Sequence, residues 1–149
     1  MLLSIDPGTT KSGWCVTEGD RVIESGIMDN QQLVDSFDKM VAMGDRVAIE
    51  VFEARGMPIG NDSIETILWT GQFIRECEAL GATFVRVHRS RVKLHLCGSA
   101  KAKDSNIRQA LLDKLGPQGT KKNPGPTYGV SSHAWAALAV AVTATETMP

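Results

Sequence analysis

The chain has 149 residues, 42% of them apolar, 22% charged and 5% aromatic. This length and mixture suit one globular domain over residues 1–149, able to bury roughly two-thirds of its unfolded surface, and leave no room for a two-domain machine. The net charge is −1, but ten basic residues against two acids give the segment from Arg86 to Lys122 a charge of +8, and the remainder carries −9. Such a split offers a basic face to an anionic partner despite overall neutrality.

Three cysteines, Cys15, Cys77 and Cys97, without a C-x-x-C pair, give neither a disulfide framework nor a zinc site and suit a reducing compartment. The uncharged stretch from Asn123 to Thr145 is broken by Pro124 and Pro126, and its apolar core from Ala134 to Val142 is nine residues. A membrane span needs about twenty. The expectation is a soluble cytoplasmic protein with no membrane partner.

In chain order, Met1 to Ile5 is an apolar run that reads as a central strand and ends at Asp6-Pro7-Gly8. Gly13–Thr17 and Arg21–Met28 read as strands joined by a turn at Glu18-Gly19-Asp20. The spacing of Leu33, Phe37, Met40 and Val41 predicts one amphipathic helix from Asn30 to Met43, stopped by Gly44. Val47–Phe52 is a further strand, and residues 53–61 form a Gly/Pro loop. Asp62 and Glu65 suggest a capping box opening a helix that runs to Leu80 and ends at Gly81. Thr83–Val87 is a fifth strand. Arg89–Ala102 suggests a short helix and a loop; Asp104 is expected to cap a helix to Leu115. Residues 116–129 form a Gly/Pro/Lys loop expected to be partly disordered, and Ser131 or Ser132 is expected to cap an alanine-rich final helix. The order βββαβαβαα describes a mixed α/β sheet covered on both faces.

Three residues stand out chemically. Asp6 ends an apolar strand, which is either simple turn chemistry or a functional carboxylate. Glu50 lies among Val47, Ala48, Ile49 and Val51, where a lone acid needs a partner. Neighbouring strands lie about 4.8 Å apart, so if the first and fourth strands pair, both acids can reach one divalent cation. His133 opens the last helix, where the helix dipole disfavours an imidazolium, so it is either a packing histidine or a neutral ligand.

Leu3-Ser-Ile-Asp6-Pro-Gly-Thr-Thr-Lys-Ser-Gly-Trp, then Ala48-Ile-Glu50-Val-Phe, then Val92-Lys93 with Lys103 ten positions on, then His133-Ala-Trp-Ala136-Ala-Leu-Ala, together resemble the RuvC-type Holliday junction resolvases, in a phage-like branch. The resemblance spans almost the whole chain in order. A similar Asp-x-Gly-Thr-Thr turn opens the actin-like ATPases, but they need a second lobe for which this chain is too short. The resemblance implies a ribonuclease-H-like fold with a mixed five-stranded sheet and helices on both faces. It also implies a homodimer that makes paired nicks in four-way DNA, in the cytoplasm of a bacterial cell or phage-infected host, with no small-molecule substrate. By resemblance Asp6, Glu50 and His133 hold two ions of Mg²⁺ or Mn²⁺ per site. Two such ions about 3.5–4 Å apart suit in-line phosphodiester hydrolysis. Lys93 and Lys103 match lysines near the scissile phosphate.

The departure is at Ala136. The family carries an acid three residues after the first ligand of this helix, and positions i and i+3 share a face. Three explanations stand: an engineered acid-to-alanine change, a natural variant active with fewer ligands, or a natural binder that does not cut. Related readings on the same fold are a flap, fork or RNA–DNA hybrid nuclease. Arg91, Lys101, Lys121 and Lys122 are expected to contact phosphates. Phe52, with Arg55 and Met57, is expected either to wedge between unstacked bases or, for Phe52, to close the strand end as core. Ile64, Ile67, Leu68, Gly71, Phe73, Ile74 and Cys77 give their helix a wider apolar girth than one buried face requires, and this suggests a dimer interface there.

Overall fold

The computed structural model describes residues 1–41 and 46–149. Strands β1 (Leu2–Asp6), β2 (Lys11–Glu18) and β3 (Arg21–Asp29) form an antiparallel meander, and β4 (Arg46–Val51) and β5 (Thr83–His88) continue the sheet in parallel, in the order β3-β2-β1-β4-β5. The β2–β3 turn is two residues long and Gly19 takes φ 58°, the left-handed geometry that tight hairpins demand.

Side-chain alternation along the strands creates two cores. Leu3, Ile5, Trp14, Val47 and Ile49 pack against α1 (Asn30–Asp35), α2 (Phe37–Met40) and α3 (Asn61–Leu80) through Leu33, Phe37, Phe73 and Cys77. Leu2, Cys15, Ala48 and Val87 point the other way, onto α4 (Arg89–Cys97), α5 (Asp104–Leu115) and α6 (Ala134–Thr147). The sheet is therefore covered on both faces, as the element order implied.

Several local expectations are corrected. The helix expected from Asn30 to Met43 is two short pieces over its described part, because Ser36 leaves helical geometry at φ −106° and ψ 10°. Its hydroxyl donates back to the Gln32 carbonyl, a local bond that competes with helix propagation. The cap is Asp29, whose Oδ1 accepts from the N–H groups of Gln31 and Gln32. Ala42, Met43 and Gly44 lie outside the described residues.

Helix α3 starts at Asn61 behind Gly60, so Asp62 sits in the first turn and the expected capping box is not formed. At α5 the Lys103 N–H donates to Asn106 Oδ1 at 2.9 Å, and Asp104 is a first-turn residue instead of the cap. Neither Ser131 nor Ser132 caps α6 with its side chain; their carbonyls accept from the Ala134 and Trp135 N–H groups, and His133 flanks the helix.

The 116–129 loop, expected to be partly disordered, is fastened internally. Thr127 Oγ1 donates to the Gly116 carbonyl, Gln118 Nε2 to the Val130 carbonyl, and the Gly125 N–H to the Gln118 carbonyl. No helix among the described residues is long and apolar enough to cross a membrane. Helix α6 is buried on nearly every side, and its alanines let it lie close over β1 and β2.

Candidate active site

The parallel register Leu3↔Val47, Ser4↔Ala48, Ile5↔Ile49 brings Asp6 and Glu50 side by side at the carboxyl ends of the two central strands. Glu50 is only 8% exposed. Its Oε1 lies 3.6 Å from an Arg89 guanidinium nitrogen, and its Oε2 is buried with no hydrogen-bond partner among the described residues. Burial first, and then the neighbouring Asp6 charge, push the Glu50 carboxyl up to about 8, against the pull of Arg89. Burial also raises Asp6, while Glu50 and Arg89 act in the opposite sense. Two carboxyls in one desolvated spot cannot both ionise cheaply.

The chain around Asp6 is rigidly set. Asn30, buried at the start of α1, donates through Nδ2 to the Gly8 carbonyl, and its Oδ1 accepts from Ser12 Oγ at 2.6 Å. Ser12 Oγ in turn accepts from the Gly8 N–H. Gly13, opposite Asp6 in the register, is where α6 arrives: a Cβ there would meet the His133 carbonyl oxygen at 2.3 Å. This close approach brings His133 Nδ1 to 3.9 Å from Asp6 Oδ2, with the imidazole 73% exposed. Asp6, Gly8, Thr9, Lys11, Asp29 and His133 line an open groove of about 1170 Å³ beside the acids.

The fold also brings in two side chains that sequence reasoning missed. Arg89, the first residue of α4, reaches Glu50 with one terminal nitrogen and contacts the Asp104 carboxylate with the other. Asp104, Arg89, Ser132, His133 and Ala136 line one small cleft of about 70 Å³. The sequence signal available for Asp104 was its being one of only two acids in the +8 segment. Ser12 and Asn30 were also missed, since nothing local marks a polar pair that meets only after the meander folds.

The other candidates divide. Lys93 and Arg55 line a pocket with Glu50, Phe52, Arg89 and Ser90, where Ser90 Oγ donates to Glu53 at 2.7 Å. Lys103 is exposed at the head of α5 beside Asp104. Phe52 and Met57 are exposed, so Phe52 is not core. Lys121 and Lys122 are exposed in the 116–129 loop. Arg91 is drawn to the far end of α6, where it donates to the Thr147 carbonyl at 3.5 Å, and Lys101 lines a different pocket with Cys97, Asn106 and Asp113. Neither is gathered with the carboxylates.

Among solved structures, the chain is similar to the Thermus thermophilus RuvC structure, with TM-score 0.65 and 20% identity over 97% of this chain and 92% of that one. The chain has the RuvC-like fold. It is likewise similar to T. thermophilus RuvC in complex with Holliday junction substrate, with TM-score 0.63 and 16% identity over the same shares. No protein-family model matches the sequence, and a search of curated proteins finds no match.

On the RuvC-like framework the paired acids sit at the strand ends, and the donor set can be weighed for a metal. Hard divalent cations prefer carboxylate oxygens, and the Oε2 of Glu50, buried without a hydrogen-bond partner among the described residues, is the oxygen such an ion would satisfy. Among the described residues no three acid, histidine or cysteine side chains surround one point as ligands. The Arg89 guanidinium, paired to Glu50, supplies the positive charge there instead.

Proposed function

We propose that this chain binds branched DNA as a homodimer and is a metal-dependent endonuclease of four-way junctions. The observation that carries the reading is the Asp6–Glu50 carboxyl pair, set by parallel register, with Asp6 lining an open groove. In this reading Asp6, Glu50 and His133 hold the metal. Mg²⁺ or Mn²⁺, two ions per site, would supply an activated water and stabilise the leaving oxygen.

The chain's own residues do the rest. Glu50 and Asp6 must give up the proton that their burial favours before they act as ligands, so the site works better as pH rises. Lys93, close to Glu50, offsets charge developing on the phosphate, with Lys103 at the outer margin. Arg55, Lys121 and Lys122 take backbone phosphates, while Phe52 and Met57 present apolar surface to unstacked bases. Exposed Ile64, Ile67 and Leu68 on α3 give a second subunit an apolar seat, and a two-fold axis would place two sites on a symmetric junction. Such work would put the protein in the cytoplasm of a bacterial cell or an infected host.

Ala136 favours a second reading, in which the chain binds junctions without cutting them. A gel-shift and nicking assay on an immobile four-way junction, with Mg²⁺ or Mn²⁺, tests both for this chain and for Ala136→Asp. The expected result is junction binding preferred over linear duplex, with paired symmetric nicks that increase in Ala136→Asp. Binding without junction preference would sink the resolvase reading, and binding with no nicks in either chain would favour the non-cutting one.

A further inference from the structure

We infer that the cleft between the heads of α5 and α6 seats one backbone phosphate of bound DNA, gripped by Arg108 and by the Arg89 nitrogen that Asp104 holds in the free chain. The inference rests on the DNA-binding reading above and adds to it a particular phosphate site, with an acid that guards it.

The lining suits an oxyanion. Two guanidiniums, Arg89 and Arg108, face the cleft together, with the Ser132 hydroxyl and the His133 imidazole as further donors. Arg108 lies 5.0 Å over the Trp135 ring, and among the described residues it makes no ion pair or hydrogen bond. Arg89 is committed on both sides, to Glu50 through one terminal nitrogen and to Asp104 through the other. Like charges in one cleft repel unless an anion stands between them. Asp104 serves Arg89 in that way, but the lining carries two cations against this single acid, so positive charge is left over.

Size and place select the ligand. At about 70 Å³ the cleft has room for about two water molecules of ~30 Å³ each, enough for a phosphate group and too little for a base or a nucleotide. Ile107 and Trp135 are buried in its wall and Ala136 adds no charge, and guanidinium–phosphate pairs strengthen where water is excluded. His133 lines both this cleft and the open groove beside Asp6, so a strand that follows the groove is led to it.

Asp104 is the residue that yields. Its side chain is 86% exposed and can swing into water without repacking the core. A phosphodiester then takes its place on Arg89, which keeps its other nitrogen toward Glu50, and Arg108 supplies the second fork. Asp104 competes with every anion for Arg89, and a phosphate delivered by a strand already in the groove arrives at high local concentration.

The test is fluorescence anisotropy on a labelled four-way junction in chelator, with single methylphosphonates, which lack the phosphate charge, moved along one strand. One position should cost the parent about tenfold in affinity, the scale of a hydrogen-bonded contact to a charged group. The same position should cost Arg108→Gln nothing further, and that variant should bind the unmodified junction about tenfold more weakly. Asp104→Asn should bind the unmodified junction several-fold more tightly than the parent, and the gain should vanish on the junction neutralised at that position. Asp113→Asn, an exposed acid further along α5, should change binding far less.

If the parent binds the junction but every methylphosphonate costs Arg108→Gln as much as the parent, the cleft seats no phosphate and the inference fails with the DNA-binding reading intact. A gain in Asp104→Asn that persists on all modified junctions assigns that acid a general electrostatic effect and also overturns it. Loss of inorganic-phosphate binding in Arg108→Gln, with junction binding unchanged, gives the cleft to a free anion and overturns the DNA assignment. No binding of the parent to junction or duplex takes down the DNA-binding reading, and the inference with it. The Asp104→Asn scan leaves Arg108 untouched, so it decides the matter even where loss of the Trp135 contact weakens the fold of Arg108→Gln.

Discussion

Glu50 is a carboxyl whose folded-state affinity for a proton is raised, to about 8, by burial and by Asp6. The unfolded chain releases that proton near the ordinary glutamate value of about 4.5. The folded form therefore holds its proton more tightly. Its penalty is absent at pH below the unfolded value, grows as pH rises, and is complete above about 8. The metal-free protein should lose stability steadily across that window. Glu50→Gln keeps the shape and removes the charge, so it should flatten the pH dependence and raise stability at pH 8 by about 1–3 kcal/mol. Urea melts of both chains in chelator, across that pH window, check this; an equal slope in the variant would assign the effect to another group. Added Mn²⁺ should stabilise the parent at the alkaline end far more than the variant.

At the scale of elements, α3 has two characters. Thr70, Phe73 and Cys77 face the sheet, with Phe73 stacked near Phe37 and Trp69, while Ile64, Ile67 and Leu68 stand out in solvent. Leu68→Glu should leave the fold stable to within about 0.5 kcal/mol, as surface changes do. On the proposed homodimer, sedimentation should show the parent as a dimer and Leu68→Glu as a monomer at the same concentration; an unchanged oligomeric state would remove this face from the interface.

What was legible at this scale follows from periodicity. The strands, the long helix ending at Gly81, and the position of Asp6 and Glu50 on two apolar strands follow from local apolar patterns, whereas the pairing of those two strands was only a condition that the fold now meets. The break at Ser36 was not, because a hydroxyl bonding back to Gln32 leaves the apolar spacing of Leu33 and Phe37 untouched. The caps expected at Asp62, Asp104 and Ser131 or Ser132 were displaced because each depends on where the chain enters the helix. Arg89 and Asp104 lie fifteen positions apart and meet only through the packing of α4 beside α5. No window along the sequence contains that pairing.

For the whole molecule, the +8 segment is divided instead of forming one uniform face. Lys114 pairs with Glu146 at 2.9 Å, Arg89 serves the carboxylates, Arg108 lies 5.0 Å over the Trp135 ring, and Arg91 is drawn to the end of α6. Lys121 and Lys122 remain exposed on a loop that is already fastened, where the proposed function has them meet DNA. Replacing both with alanine should weaken binding to junction and duplex alike and lower the slope of log affinity against log salt by about 0.9 for each phosphate no longer neutralised. A salt titration of the gel shift measures this, and an unchanged slope would take the loop out of the DNA-binding surface. The close seating of α6 against Gly13 carries a consequence for biosynthesis. Asp6 and Glu50 emerge in the first third of the chain, whereas residues 134–147, which wall in the first two strands, follow α1 to α5. A nascent chain still on the ribosome thus has both acids, solvated and without their histidine neighbour. The pair of acids gains its histidine neighbour only when the final helix docks.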